Sequence, residues 1–212
     1  MRKLLSVLSV CVMSLIYIAP ASADWGVGVT LQAGTYETTG SESEKTGAGD
    51  KETTNHSAKE GFYGASVYLE KEFGNGFTLG VDYVPMDIEL GSGERIDTST
   101  GPPDDQQTGT RKASADVENL ITLYTHVPLG PVYLLLGYHD ADITTSETLP
   151  TSTYGDASVN GIQYGLGVKS DHVKVEVAYS DFDSISLTSS NDSTQKVTAD
   201  ADALAFRLSV GF

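Results

Sequence analysis

Bulky apolar side chains recur at every second position in eight separate runs of this 212-residue chain, and the positions between them are unusually small. A period of two is the repeat of a β-strand with one apolar face, and no run shows the helical period of 3.6. Trp25, Val27, Val29, Leu31 and Ala33 open the series. Tyr63 to Leu69, Phe77 to Tyr83, Val132 to Tyr138, Ile162 to Val168, Val173 to Tyr179 and Leu204 to Phe212 repeat it, and Val117, Ile121, Leu123 and Val127 form a weaker run. The alternate face carries Gly26, Gly28, Gly64, Ser66, Gly80, Gly137, Gly165, Gly167, Ala178 and Ala205. A soluble sandwich has no need of small residues on its wet face. A narrow barrel turned inside out does, because its concave interior is crowded while its aliphatics face outward.

Connection lengths and aromatic placement point the same way. Gly74-Asn75-Gly76, Pro128-Leu129-Gly130-Pro131 and Ser170-Asp171-His172 read as tight turns. They alternate with long polar segments over 36–61, 91–112, 144–155 and 186–195, which read as loops. Trp25, Phe73, Phe77 and Phe212 sit at the short-turn ends of their strands, and Tyr63, Tyr83, Tyr138 and Tyr179 toward the long-loop ends, as two interfacial girdles would. Tyr63 and Phe73 lie ten residues apart, the reach a tilted strand needs to cross a hydrocarbon layer.

The amino terminus supplies the compartment. Met1-Arg2-Lys3, an apolar stretch to Ala19 and the small residues Ala21-Ser22-Ala23 make a secretory signal over 1–23, cleaved after Ala23, with the barrel domain running over 24–212. The sole cysteine, Cys11, falls inside that signal, so the mature chain is expected to hold without disulfides. With 13 Lys and Arg against 29 Asp and Glu, the formal charge is −16, and no basic cluster after the signal exceeds Arg111-Lys112, which argues against a nucleic-acid partner.

The signal, the eight strands and the closing Phe206-Arg207-Leu208-Ser209-Val210-Gly211-Phe212 together resemble the small outer-membrane β-barrel family that includes OmpX, the opacity proteins and the OmpA transmembrane domain. The resemblance implies an all-β, eight-stranded, antiparallel up-and-down transmembrane barrel in a bacterial outer membrane. It implies as surroundings the membrane lipid with its lipopolysaccharide, and as partner the barrel-assembly machinery, which would read Phe206, Leu208, Val210 and Phe212. It implies a monomer with loops exposed to the exterior and open to extracellular ligands. The OmpA likeness stops at strand 8, so cell-wall anchoring is not carried over.

Strand parity assigns the lumen. Glu70, Glu72, Asp82, Asp116, Glu118, Lys174, Glu176 and Arg207 should point inward with Tyr68, His126 and His139, the two cations centring a network of acids. Such a network makes a structural plug, or, if its acids stay free, the lining of a narrow cation-preferring pore. Catalysis, a bound metal and a cofactor are not expected: no serine lies two residues from His139, and the histidines lack zinc-site spacing. The pairs Asp140/Asp142, Asp181/Asp183 and Asp200/Asp202 read as solvated strand ends; after Tyr36 the first long loop lacks the aromatic and arginine anchors of tight recognition, and the second offers only Ile96, Arg95 and Arg111. The function expected is a structural or surface-interaction role.

Overall fold

The structure is a computed structural model and describes residues 24–45, 51–97, 109–148, 153–190, 193 and 195–211. The signal residues, with Ala21 and Ala23, and the terminal Phe212 lie outside the described residues. The strands are β1 (Asp24–Lys45), β2 (Lys51–Glu72), β3 (Thr78–Tyr83), β4 (Ile88–Asp97), β5 (Gly109–Leu129), β6 (Val132–Thr148), β7 (Ala157–Lys169), β8 (Val173–Thr188) and β9 (Lys196–Gly211). Every pairing is antiparallel, and β1 pairs with β9 while β3 pairs with both β2 and β5, so the sheet closes on itself. Closure leaves eight staves, because β3 and β4 are two pieces of one stave, both lying along β5.

Tight turns join the staves at one end. Between β2 and β3, Gly76 takes φ +80° while the Phe73 amide donates to the Phe77 carbonyl and Asn75 Oδ1 accepts from the Phe77 amide. Only a residue without Cβ enters that region at little cost. Gly130, at φ +74°, serves the β5–β6 turn in the same way.

At the other end the strands run much further than their apolar alternation. The segment 36–61, read as a loop, is for the most part a ladder from Tyr36↔Glu60 to Lys45↔Lys51, and 91–97 pairs with 109–115. Beyond Tyr36 the sequence of these arms is almost wholly polar, so it carries no hydrophobic contrast, yet Thr-rich stretches suit the pleated backbone.

The stave made of β3 and β4 breaks at Val84-Pro85-Met86-Asp87. Pro85 has no amide to give a ladder, and the Val84 amide instead meets the Leu120 carbonyl at 3.0 Å. The break has a second effect. Among the described residues β2 pairs with β3 only from Glu72 to Val67, and β4 pairs with β5 alone, so from Ser66 outward no ladder joins the edges of β2 and β4. An unzipped seam therefore runs along the long-loop half of the wall.

Two zones follow from the burial pattern. In the short-turn half, Val27, Leu31, Leu166, Val177 and Phe206 lie on the outside, all more than half exposed, while Tyr68, Tyr124, Leu135 and Ala178 cluster within. That outer belt is what lipid replaces water around. Beyond Tyr63, Tyr83 and Tyr138 the polarity reverses: Glu37, Lys59 and Asp181 are exposed, and Val117, Ala141, Ile143 and Val159 form an inner apolar cluster. Along β6 the strand keeps its parity and merely changes residue type. β5 instead inserts a bulge between Glu118 and Ile121 with Asn119 at φ 53°, and β8 inserts one between Phe182 and Ile185. A bulge shifts alternation by one residue and so exchanges the two faces.

Candidate functional site

The inner half of the lumen is filled, and the glycines are what make room. A Cβ on Gly80 would collide with the ring of Tyr124, and one on Gly167 with the ring of Tyr133, so each tyrosine packs over its cross-strand partner on the neighbouring strand only because that partner is bare. The alternation of small and large inward residues is thus a packing device.

Between those rings sit the charges. Arg207, on β9, has Nη2 2.8 Å from Asp82 Oδ2 and Nη1 3.3 Å from Glu176 Oε2, and all three side chains are buried. Ser66 donates to Asp82 at 2.9 Å, Tyr133 donates to Glu176 at 2.8 Å, and His126 Nε2 lies 3.1 Å from the same carboxylate. Lys174 meets Glu70 at 2.6 Å and stands over the ring of Tyr68, 3.8 Å from its centre, while Tyr124 donates to Glu70 at 2.6 Å. Charges taken this far from water need compensation of this kind. Glu72 stands apart at the short-turn rim, paired with Lys169 at 2.8 Å.

Asp116 and Glu118 are not in the lumen. The bulge at Asn119 reverses β5 beyond that point, so Val117 turns inward and its two neighbours turn out, where Glu118 accepts from Thr144 at 2.9 Å. The same reversal removes Val117 from the outer face on which its parity with Ile121 and Leu123 had placed it. On β9, Phe206, Leu208 and Val210 line the outer belt.

Above Arg207 the network ends in a neutral layer. His139 lies between Thr122 Oγ1 and Ser180 Oγ, 2.8 Å from each, and Gln163 accepts from Arg207 Nη1 at 3.4 Å and donates to Ser180 at 3.3 Å. Ser180 is 41 residues from His139 in sequence, so the pair becomes visible only once β6, β7 and β8 are laid side by side. The group at Nδ1 is a threonine, so no carboxylate orients the imidazole as one does in a nucleophilic triad.

This layer, together with Arg207 and Asp82, is the floor of a second compartment that sequence reasoning missed, a cavity of about 130 Å³ lined mainly by apolar side chains such as Phe62, Ile88, Leu120, Ile143, Val159 and Phe182, with Asp183, Asp200 and Asp202 also on its wall. A signal for it does exist in the sequence. These residues lie beyond the tyrosine girdle, where an outward apolar side chain would meet water rather than lipid.

Tyr36 bridges the unzipped seam from within. Carried on β1 and buried, its hydroxyl reaches past β2 to the Leu90 carbonyl of β4 at 2.9 Å and to Glu60 Oε2 at 3.2 Å. Burial first, and then the charge of Glu60, push this hydroxyl above its ordinary pKa, so it stays a donor.

No protein-family model matches the sequence, and neither does any curated protein. Solved structures with a similar fold include Neisserial surface protein A, 15% identical with a TM-score of 0.45 over 90% of this chain and 99% of that one. The outer membrane protease OmpT of Escherichia coli is 11% identical, with a TM-score of 0.42 over 88% and 97% of the two chains. The outer membrane protein OprG of Pseudomonas aeruginosa is 14% identical, with a TM-score of 0.41 over 87% and 96%. At these scores the similarity is one of general barrel shape.

Proposed function

We propose that this chain is a bacterial outer-membrane barrel that conducts no ions and serves a structural or surface role, holding a rigid β-extension above the bilayer. The observation that carries the reading is the pairing inside the short-turn half. A cation path would need carboxylates open to passing ions, whereas Asp82 and Glu176 are occupied by Arg207, Glu70 by Lys174, and the space between them by Tyr68, Tyr124 and Tyr133. The belt between Trp25 and Tyr63 supports insertion, and the polar outer face of the arms beyond it supports exposure to water.

Conductance tests the reading directly. Purified protein refolded into a planar bilayer, its insertion checked by heat-dependent gel mobility, is expected to stay silent under a salt gradient. Reproducible cation-selective steps would overturn the plug and establish the pore.

A further inference from the structure

We propose that the outer compartment is a binding site for a small apolar molecule carrying one hydrogen-bond acceptor, entered through the seam between β2 and β4 at the level of the outer headgroups. Three features of the fold converge on it. The first is the chamber itself. Aliphatic and aromatic side chains make most of its exposed wall, with polar groups such as His139, Gln163, Arg207 and Asp202 also on the lining, and an apolar cavity of comparable size, about 150 Å³, takes up benzene in another protein. The chamber here is therefore matched to a molecule of about that size or somewhat longer, with its far end in the opening.

The second feature is an unmet donor at the floor. Arg207 gives Nη1 and Nη2 to its acid and amide partners, but its buried Nε has no acceptor among the described residues. A buried donor left without a partner is costly, and a carbonyl or ether oxygen at the deep end of the ligand would satisfy it. A carboxylate fits less well, since Asp82 and Glu176 already flank the guanidinium. The acceptor is therefore neutral, as in a ketone, aldehyde or ester.

The third feature is the doorway. The seam begins where β2 leaves β3, at Val67↔Tyr83, the height of the outer tyrosine girdle. Amphiphilic molecules concentrate at that depth of a bilayer. The ladder is missing there, and the Tyr36 hydroxyl crosses the gap to the Leu90 carbonyl, so the entrance is held by a side-chain contact. Breaking that contact opens the wall without unpairing a strand.

The test uses octan-2-one as probe and methyl-labelled protein in lipid nanodiscs, with folding checked independently by gel mobility. Saturable shifts are expected at Val117, Ile143 and Val159, none beyond simple partitioning at Leu31 and Leu166, and octane should bind about tenfold more weakly because it leaves Arg207 Nε unmet. Ile143→Trp, or Val159→Phe where the first does not fold, should abolish the saturable shifts. Tyr36→Phe should speed exchange of the ketone, which marks the seam as the route. Shifts confined to the outer belt, or equal binding of ketone and alkane, would overturn the site. Exchange unchanged in Tyr36→Phe would overturn the seam as the entrance and make the loop end the source.

Discussion

Arg207→Met is expected to destabilise the folded barrel by about 3–5 kcal/mol, because it strands two carboxylates in a closed interior. In the native chain the guanidinium answers Asp82 and Glu176 at once. Methionine fills much of the same space and supplies no charge, so the loss reports the ion pairs more than the packing. Glu176 keeps Tyr133 and His126 as neighbours, and Asp82 keeps Ser66. Asp82→Asn in the Arg207→Met background should therefore return part of the loss, and the coupling between the two sites is the quantity to extract. Urea titration of folding into lipid vesicles, read by gel mobility, measures both. A loss below about 1 kcal/mol would mean that water screens these pairs as it screens surface ones.

Leu166→Arg is the second large effect, and it acts from the other side of the wall. Leu166 is 56% exposed on the outer face of β7, level with Leu134 and Val177. An arginine at mid-membrane depth costs about 2–4 kcal/mol in barrels of this kind, and the cost falls to about 0–1 near the interface. Ser158→Arg, on the same strand with the same outward parity but beyond the tyrosine girdle, is expected to be close to neutral, because it already faces water beside Asp142. The same vesicle titration gives both values. Equal costs at the two positions would deny the outer face its change of surroundings along β7.

What the sequence made readable follows from where contrast exists. Apolar–small alternation marks the lipid-crossing part of each stave, and parity along β8 and β9 is enough to bring Lys174, Glu176 and Arg207 to one face. Contrast vanishes in the arms. Thr39, Ser41 and Thr54 alternate with residues as polar as themselves, so their pairing leaves no hydrophobic trace, and the arms look like loops. Parity also fails without warning where a bulge intervenes. Nothing in Glu118-Asn119-Leu120 announces that the backbone will take a positive φ at Asn119, and that one residue carries Val117 from the outside to the inside and Asp116 and Glu118 the other way. The split of the third stave was nearer the surface, since Pro85 cannot serve a central strand. Its consequence, an open seam above Val67, needs the register of β2 against both pieces.

The pieces make one physical account. Below the tyrosine girdle the wall faces lipid, so its outside is apolar and its interior holds small residues, tyrosines and paired charges. Above the girdle the wall faces water, so the apolar residues move inside, and a hollow remains between side chains such as Val117, Ile143 and Val159.

Spin-label accessibility along β5 tests that reversal most directly. Nitroxides placed singly from Ala115 to Val127, in vesicles, are read for collision with oxygen, which concentrates in lipid, and with a water-soluble nickel complex. The account predicts oxygen contact at Leu123 and Val127, nickel contact at Asp116 and Glu118, and neither at Val117, with the alternation changing phase at Asn119. Alternation running in phase through Asn119, with Val117 open to lipid, would contradict it.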